Sequence, residues 1–172
     1  MKKRIVIVTA QGFQDEEYIY PYYRLLEANV ALEVATQGKQ IVYGKFGNPA
    51  KPTMSTDQFN ANDFDGVVLP GGFEGPDRVR IIPEVILFVQ EMNKQKKLIA
   101  AICHAASILI TADICRGVNM TGFWSVEMDI KNAGAIYHHK APVIVDRNII
   151  TSPHYAYNAD FMKAVVGYIG DT

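Results

Sequence analysis

The stretch that decides the fold is KLIAAICHAASILITA, residues 97–112. Within it, residues 98–102 form an uninterrupted apolar run of the length expected for a strand buried on both faces of a sheet. After Cys103 and His104, apolar residues recur at helical spacing. The pattern therefore predicts a parallel strand, a sharp turn at the Cys-His pair, and a helix that closes near Gly117, a residue type that commonly ends helices.

A cysteine on such a turn has an unusual environment. The turn directs the Cys103 side chain out of the carboxyl edge of the sheet and surrounds its sulfur with free backbone N–H groups and the positive end of a helix dipole. These groups favour the thiolate over the thiol, and the thiolate is the nucleophilic form. Alternatively, Cys103 is a buried small hydrophobe. The adjacent His104 favours the reactive interpretation.

The length and composition are those of an ordinary globular domain. With 172 residues, of which 49% are hydrophobic and 20% charged, the chain is predicted to form a single domain over residues 1–172. A net charge of −1 gives no electrostatic footprint for nucleic acid, and no apolar run is long enough to span a bilayer. We therefore expect neither a nucleic-acid nor a membrane partner.

The cysteine content and the N-terminus bear on the cellular compartment. The chain has 2 cysteines, Cys103 and Cys115, which imply no disulfide framework, so a reducing cytoplasm is the simplest setting. Basic residues at the N-terminus precede an apolar run, residues 5–8, that is too short for the core of a secretory signal peptide. We therefore expect a cytoplasmic protein.

Strands alternate with helices along the sequence, which predicts an α/β fold with a mainly parallel central sheet covered on both faces. In such sheets, functional groups gather at the carboxyl ends of the strands. Four predicted strand ends carry chemically capable residues, and we expect these residues to converge. They are Glu17, the pair Gly71 and Gly72, the pair Cys103 and His104, and Ser152, Pro153 and His154.

The sequence predicts no metal site and no cofactor. His138 and His139 are adjacent near a strand end, so their side chains point to opposite faces. The glycine pair at 71–72 lacks the spacing of a phosphate-binding loop, although it lets the backbone approach a ligand or a side chain closely. Ser125 is interpreted as the N-cap of a helix that runs through Ala133.

Five short segments carry a family resemblance. They are VTAQGFQDEEYIYP (8–21), DFDGVVLPGG (63–72), PDRVR (76–80), AAICHAASILITA (100–112) and NAGAIY (132–137). Together they resemble the ThiJ/PfpI superfamily over nearly the whole chain, and most closely its PfpI-type branch of intracellular proteases. The resemblance implies a flavodoxin-like three-layer sandwich with a cysteine nucleophile elbow, related to class I glutamine amidotransferase domains.

The resemblance also implies roles for individual residues. Cys103 takes the place of the elbow nucleophile, His104 that of the following histidine, and Glu17 that of a carboxyl group that hydrogen-bonds the sulfur. Such a carboxyl must be protonated, because an ionised one would repel a thiolate. Gly72 matches a glycine whose N–H stabilises an oxyanion, across from the N–H of His104. Without the resemblance, Glu17 is interpreted as a solvated carboxylate in the first turn of a helix.

One further acid matches the family pattern, and two other residues depart from it. In PfpI-like oligomers a carboxylate from a neighbouring subunit approaches the histidine, and Asp77 occupies the matching position. Asp77 is alternatively an exposed residue at a helix start. Gln14 stands where the family often has an acid, so the pocket carries one less negative charge. His154 replaces part of a Ser-Arg stretch and either lines a pocket of altered substrate preference or is an ordinary loop residue.

Three functional hypotheses follow. The first is an enzyme whose Cys103 thiolate attacks a carbonyl, either in a peptide or in a small reactive aldehyde or its protein adduct. The second is a stress chaperone or redox sensor that uses an oxidisable Cys103 without turnover. The third is a scaffold that has lost its chemistry. The family resemblance further implies a homodimer or a higher homo-oligomer, with the active site near an interface.

Overall fold

The computed structural model describes residues 2–170. Within this range, a seven-stranded sheet is flanked by α-helices, and two short ribbons lie outside it. The sheet contains β1 (Arg4–Val8), β2 (Ala31–Thr36), β5 (Met54–Ser55), β6 (Gly66–Leu69), β7 (Leu98–Ile102), β10 (Ile144–Asp146) and β11 (Ile149–Ser152). The helices are α1 (Asp15–Glu27), α2 (Glu74–Val79), α3 (Pro83–Lys94), α4 (Ala106–Thr111), α5 (Glu127–Asn132) and α6 (Asn158–Gly170). The ribbons pair β3 (Val42–Tyr43) with β4 (Pro49–Ala50), and β8 (Asn119–Met120) with β9 (Ile136–Tyr137).

The strands of the sheet lie in the order β10-β11-β7-β6-β1-β2-β5. All neighbouring pairs are parallel except β10 with β11, which form an antiparallel hairpin. Apart from the edge strands β5 and β10, this is the flavodoxin-like order, and its direction reverses between β1 and β6. Ligands bind beyond the carboxyl ends of the strands at such a point. The predicted α/β flavodoxin-like architecture is therefore confirmed.

The two faces of the sheet are covered by different helices. On β1, Ile5 and Ile7 pack with apolar residues of α1 and α6, whereas Val6 and Val8 pack with those of α3 and α4. Because successive side chains of a strand point to opposite faces, the continuous apolar run of a central strand serves both layers. The side chains of β1 and β7 are accordingly almost entirely buried.

The helix after Cys103 is shorter than the sequence suggests. A 3₁₀ turn covers Cys103–Ala105, and α4 ends at Thr111. Asp113 then adopts a positive φ of 52°, so the predicted end near Gly117 is wrong. The apolar pattern in the sequence continues past the end of the helix, because Cys115 and its neighbours belong to the core without being helical. Among the helices within residues 2–170, none combines the length and apolarity of a transmembrane span.

Candidate active site

Cys103 lies on a strained turn directly after β7. Its φ of 63° belongs to the left-handed region, which costs energy for any residue with a Cβ. The turn leaves Cys103 5% exposed and places two backbone N–H groups, those of Gly72 and His104, close enough to the sulfur to lower its pKa. The predicted elbow is therefore present, and the sulfur lies where two amide donors converge.

The glycine pair after β6 is required by the close packing of the site. Gly72 has a φ of 87°, and a Cβ there would lie 2.6 Å from the backbone nitrogen of Gln14. A Cβ at Gly71 would lie 2.6 Å from the Cβ of Cys103 and would also clash with the carboxyl group of Glu17. Only glycine therefore lets β6 approach the elbow this closely.

Glu17 is fully buried in the first turn of α1, although it is an acid. Its Oε2 accepts a hydrogen bond of 2.9 Å from the backbone N–H of Gly71. Burial raises the pKa of Glu17 to about 8, while the Cys103 thiol and the Gly71 amide act in the opposite direction. The side chain therefore carries a proton at neutral pH, and it is not the solvated carboxylate of the alternative interpretation.

The pKa of Cys103 differs from the sequence-based expectation. Burial raises the pKa of this thiol, a negative charge on Glu17 raises it further, and the N–H groups of Gly72 and His104 lower it. The elbow alone therefore does not stabilise the thiolate, because the sulfur is desolvated and α4 is too short to supply a strong dipole. Protonation of Glu17 removes one of the two effects that oppose ionisation of Cys103.

Three contacts fix the position of the His104 ring. Its Nδ1 lies 3.3 Å from the Cys103 sulfur, its Nε2 lies 3.2 Å from Oγ of Ser125, and its ring stacks on Phe123 at 4.5 Å between centroids. Burial lowers the pKa of His104, and the charge of Asp77 opposes this shift. A neutral ring that carries its proton on Nε2 donates to Ser125 and leaves Nδ1 free to accept the thiol proton.

Ser125 does not have its predicted role. It lies inside a 3₁₀ turn, Trp124–Val126, and α5 begins only at Glu127 without a side-chain cap. Its hydroxyl contacts His104 instead. Nothing in the local sequence indicates this contact, because a helix-capping serine and a serine that orients a histidine have the same surroundings along the chain.

Asp77 lies near His104 in the same chain but does not bind it. It is on α2, its side chain is 71% exposed, and Oδ1 is 4.0 Å from a guanidinium nitrogen of Arg80. Asp77 and His104 both line a cavity of about 540 Å³. The approach of Asp77 to the histidine of a neighbouring subunit stays a prediction.

A second cavity, of about 450 Å³, opens onto the Cys103 sulfur and is called the thiol cavity below. Glu17, Gly72 and His104 line it, and so does His154, which stacks on Tyr155 at 3.9 Å between centroids. The four predicted strand ends therefore do meet. The other residues that line the cavity are Gln14, Lys45, Phe46, Phe73, Phe123 and Tyr155.

Lys45 and Phe46 were missed by the sequence analysis. They lie on the loop between β3 and β4, far along the chain from the other residues of the cavity. Their segment has no apolar periodicity, and its glycines and prolines indicate only a hairpin and a surface loop. A contact between this loop and the start of α1 brings them to the site, and such long-range contacts leave no local signal.

Candidate metal ligands do not cluster. Within residues 2–170, no group of three or more His, Cys, Asp or Glu side chains is arranged to hold a metal ion. His138 contacts Asn119, with Nε2 2.8 Å from Oδ1, and His139 contacts Glu127, with Nδ1 3.2 Å from a carboxyl oxygen. The two adjacent histidines therefore have separate structural partners.

Known proteins of similar sequence match most of the length of the chain. A protein named Deglycase PfpI from Pyrococcus furiosus is 35% identical over 164 residues, which cover 93% of this chain and 98% of that protein. A Bacillus subtilis protein named Putative cysteine protease YraA is 36% identical over 155 residues, which cover 88% of this chain and 89% of that one. Two different activities are therefore named among relatives of comparable identity.

A solved structure and a family model agree with the fold. The structure is a two-domain protein from Anabaena variabilis with DJ-1/ThiJ/PfpI-like and ferritin-like domains. It matches with a TM-score of 0.95 and 36% identity, over 98% of this chain and 48% of that one. The model of the DJ-1/PfpI family matches residues 3–167. The chain belongs to the DJ-1/PfpI family.

Proposed function

We propose that the protein is a cysteine-dependent enzyme whose Cys103 sulfur attacks the carbonyl carbon of a small reactive aldehyde, or of the adduct that such an aldehyde forms on a protein. One observation carries the proposal: the sulfur faces a cavity at the point where the N–H groups of Gly72 and His104 meet the buried, protonated Glu17. This combination supplies a nucleophile, donors for an oxyanion and a proton source.

The first step forms a carbon–sulfur bond. The Cys103 thiol passes its proton to Nδ1 of His104, 3.3 Å away, and the sulfur attacks the aldehyde carbon. The π electron pair moves to the carbonyl oxygen, beside the N–H groups of Gly72 and His104. Glu17 gives its proton to this oxygen, which leaves a hemithioacetal and a Glu17 carboxylate.

The second step is an internal proton transfer followed by hydrolysis. For a 2-oxoaldehyde such as methylglyoxal, the Glu17 carboxylate takes the proton from the former aldehyde carbon and returns it to the adjacent carbon, while the hydroxyl proton passes to the oxygen of that adjacent carbon, which gives a thioester. Water then adds to the thioester, the carbon–sulfur bond breaks, the sulfur recovers its proton from His104, and Glu17 recovers its own proton from the attacking water. The net change is the addition of one water, which converts methylglyoxal into lactic acid.

The histidine favours this chemistry over peptide hydrolysis. Expulsion of an amine needs a protonated His104 that an acid orients toward the leaving group, and Asp77, the predicted acid, is exposed and paired with Arg80. An aldehyde has no amine to expel. The name of the relative from Pyrococcus furiosus supports the aldehyde route, and that of the relative from Bacillus subtilis supports the peptidase route as a second candidate.

The experiment compares the protein with its Cys103→Ala and Cys115→Ala variants on methylglyoxal and on an unfolded peptide. Cys115 is also buried, at 1% exposed, and lies in the core away from the thiol cavity, so its variant is the matched control. We expect lactate production by the protein and by Cys115→Ala, and none by Cys103→Ala. Turnover that persists without Cys103 would eliminate the proposal, and cleavage of the peptide alone would establish the second candidate.

A non-enzymatic role makes a different prediction. A stress chaperone or redox sensor would oxidise Cys103 to a sulfenic or sulfinic acid in dilute peroxide without turning over either substrate. Intact-mass measurement after peroxide treatment detects the added oxygen atoms. Light scattering of the same samples tests the expected homodimer or larger oligomer.

A further inference from the structure

The loop of residues 44–48, between β3 and β4, contributes an exposed cationic side chain to the lining of the thiol cavity. Lys45 lines this cavity together with Phe46, and its ammonium lies 5.3 Å from the centroid of the Phe46 ring. Among the described residues that line the cavity, Lys45 is the one lysine or arginine and Glu17 the one acid. Because Glu17 is protonated at neutral pH, no described residue in the lining carries a negative charge; the carboxylates of Asp15 and Glu16 lie on the same turn of α1 but outside the lining.

The loop is fixed by contacts with the start of α1. Asp15 is 3% exposed, and its carboxylate accepts hydrogen bonds from the backbone N–H of Phe46 at 2.8 Å and from the backbone N–H of Asn48 at 3.0 Å. The N–H of Lys45 donates to the carbonyl oxygen of Phe13 at 2.8 Å. The backbone at Lys45 is therefore held by the same segment that carries Glu17.

The ammonium of Lys45 has no acidic partner. Within residues 2–170, no carboxylate forms an ion pair with it. Gln14, which lines the cavity, is neutral and donates a hydrogen bond of 2.6 Å to the exposed Glu16. His154 adds no fixed charge, because its Nδ1 accepts a hydrogen bond of 3.2 Å from the N–H of Ala156.

We propose that Lys45 is a specificity-determining residue, which selects carbonyl substrates that carry an anionic group, a carboxylate or a phosphate, next to the reacting carbon. This inference rests on the proposed function for the identity of the reacting carbon, but the attraction of anions to the cavity does not depend on turnover. A charge in a partly enclosed cleft concentrates ligands of the opposite sign. The proposal thereby narrows the substrate class from aldehydes in general to aldehydes that carry a carboxylate or a phosphate.

The first test uses two alkylating reagents that differ in charge, in a Cys115→Ala background. Iodoacetate and iodoacetamide both form a carbon–sulfur bond to Cys103 and release iodide, but only iodoacetate is an anion. The measured quantity is the ratio of their alkylation rates, normalised to free cysteine. We expect Lys45→Gln to lower this ratio by about fivefold, the effect of one partly exposed ion pair, and Lys45→Arg to preserve it.

Lys51→Gln is the matched control, because Lys51 is exposed in the same segment and lines a different cavity. It makes the same change in net charge and should leave the ratio unchanged. High salt should reduce the ratio of the protein toward that of Lys45→Gln. An equal ratio in the protein and in Lys45→Gln would overturn the inference.

A second test is independent of the thiol and so of the proposed function. Pyruvate and its neutral analogue pyruvamide are titrated into the Cys103→Ala variant, and binding is followed by the NMR shifts of the amides of Lys45 and Phe46. We expect pyruvate to bind at least about fivefold more tightly, and Lys45→Gln to remove the difference. Competition by acetate or by inorganic phosphate then identifies the preferred anion. Equal binding of pyruvate and pyruvamide would refute the anion site even if Cys103 proves catalytic.

Discussion

The backbone N–H of Gly71 donates a hydrogen bond of 2.9 Å to Oε2 of Glu17, although 54 positions separate the two residues. This contact joins the carboxyl end of β6 to the first turn of α1. It orients a buried carboxyl group toward Cys103 and occupies one of its oxygens. The site therefore depends on the packing of two elements that lie far apart in the sequence.

The first prediction concerns the stability of the fold at different pH values. The pKa of Glu17 is about 8 in the folded protein, above the ordinary value of 4.5 expected in the unfolded chain. Between these values the unfolded chain releases a proton that the folded protein keeps, so stability falls as the pH rises. Glu17→Gln removes this dependence, which amounts to at most about 1.4 kcal/mol per pH unit.

The effect is measured by denaturant unfolding of the protein and of Glu17→Gln at several pH values between the two pKa values, 4.5 and about 8. We expect the free energy of unfolding of the variant, relative to the protein, to increase with pH. Glu16→Gln is the control, because Glu16 is the exposed neighbour on α1. A difference that stays constant with pH would contradict the protonated state assigned to Glu17.

The second prediction concerns the glycine at the end of β6. Gly71→Ala places a methyl group against the Glu17 carboxyl and 2.6 Å from the Cβ of Cys103. We expect a loss of about 1–3 kcal/mol of stability, the usual cost of overpacking, together with loss of turnover. Gly167→Ala on α6 is the matched control, since a Cβ there meets nothing within 4 Å. That helical variant should gain about 0.5–1 kcal/mol, and both values come from thermal or denaturant unfolding.

The third prediction assigns Ser125 as a positioning residue for His104. Ser125→Ala removes the hydroxyl that lies 3.2 Å from Nε2, so the ring loses the contact that fixes its tautomer. We expect kcat to fall by about tenfold with little change in KM, and the pH profile of Cys103 alkylation to shift. Ser125→Thr keeps a hydroxyl and should restore most of the activity. A Ser125→Ala enzyme with an unchanged pH profile would show that the contact has no influence on the ring.

The fourth prediction concerns Asp15. Burial opposes its ionisation, but hydrogen bonds from Phe46 and Asn48 outweigh this effect and hold the pKa of Asp15 below its usual range. The stability that Asp15 contributes is therefore present at neutral pH and is lost as the pH falls through this lowered pKa.

Replacement of this residue tests the same contact. Asp15→Ala should cost about 1–3 kcal/mol at neutral pH and weaken pyruvate binding by releasing the loop that carries Lys45. Hydrogen exchange at the amides of Phe46 and Asn48 reports the release directly. Unchanged protection of these amides would mean that other contacts hold the loop.

The parts of the site that follow buried strands could be predicted from the sequence. Apolar runs before Gly71 and before Cys103 indicated two strands, and the rule that parallel strands end at one edge brought their ends together. Burial of Glu17 could not be derived in this way, because a first-turn acid on a helix is ordinarily solvated. The family resemblance supplied this assignment, and the observed burial agrees with it.

The remainder depends on contacts between distant parts of the chain. Ser125 and Lys45 reach the site through turns that have no periodic pattern, and the end of α4 is set by a core that continues past the helix. The thiolate prediction failed for a related reason. Desolvation of Cys103 is a property of the whole packed site, and the turn sequence describes only the donors around the sulfur.

The crowding around Gly71 also constrains the history of the sequence. Its missing side chain leaves the space that Glu17 and Cys103 occupy, so a larger residue at that point excludes the carboxyl, the elbow or both. Substitutions at these three positions are therefore coupled. A relative that lacks the cysteine no longer needs the acid or the glycine. In an alignment of relatives, the three positions should be retained or replaced as a set.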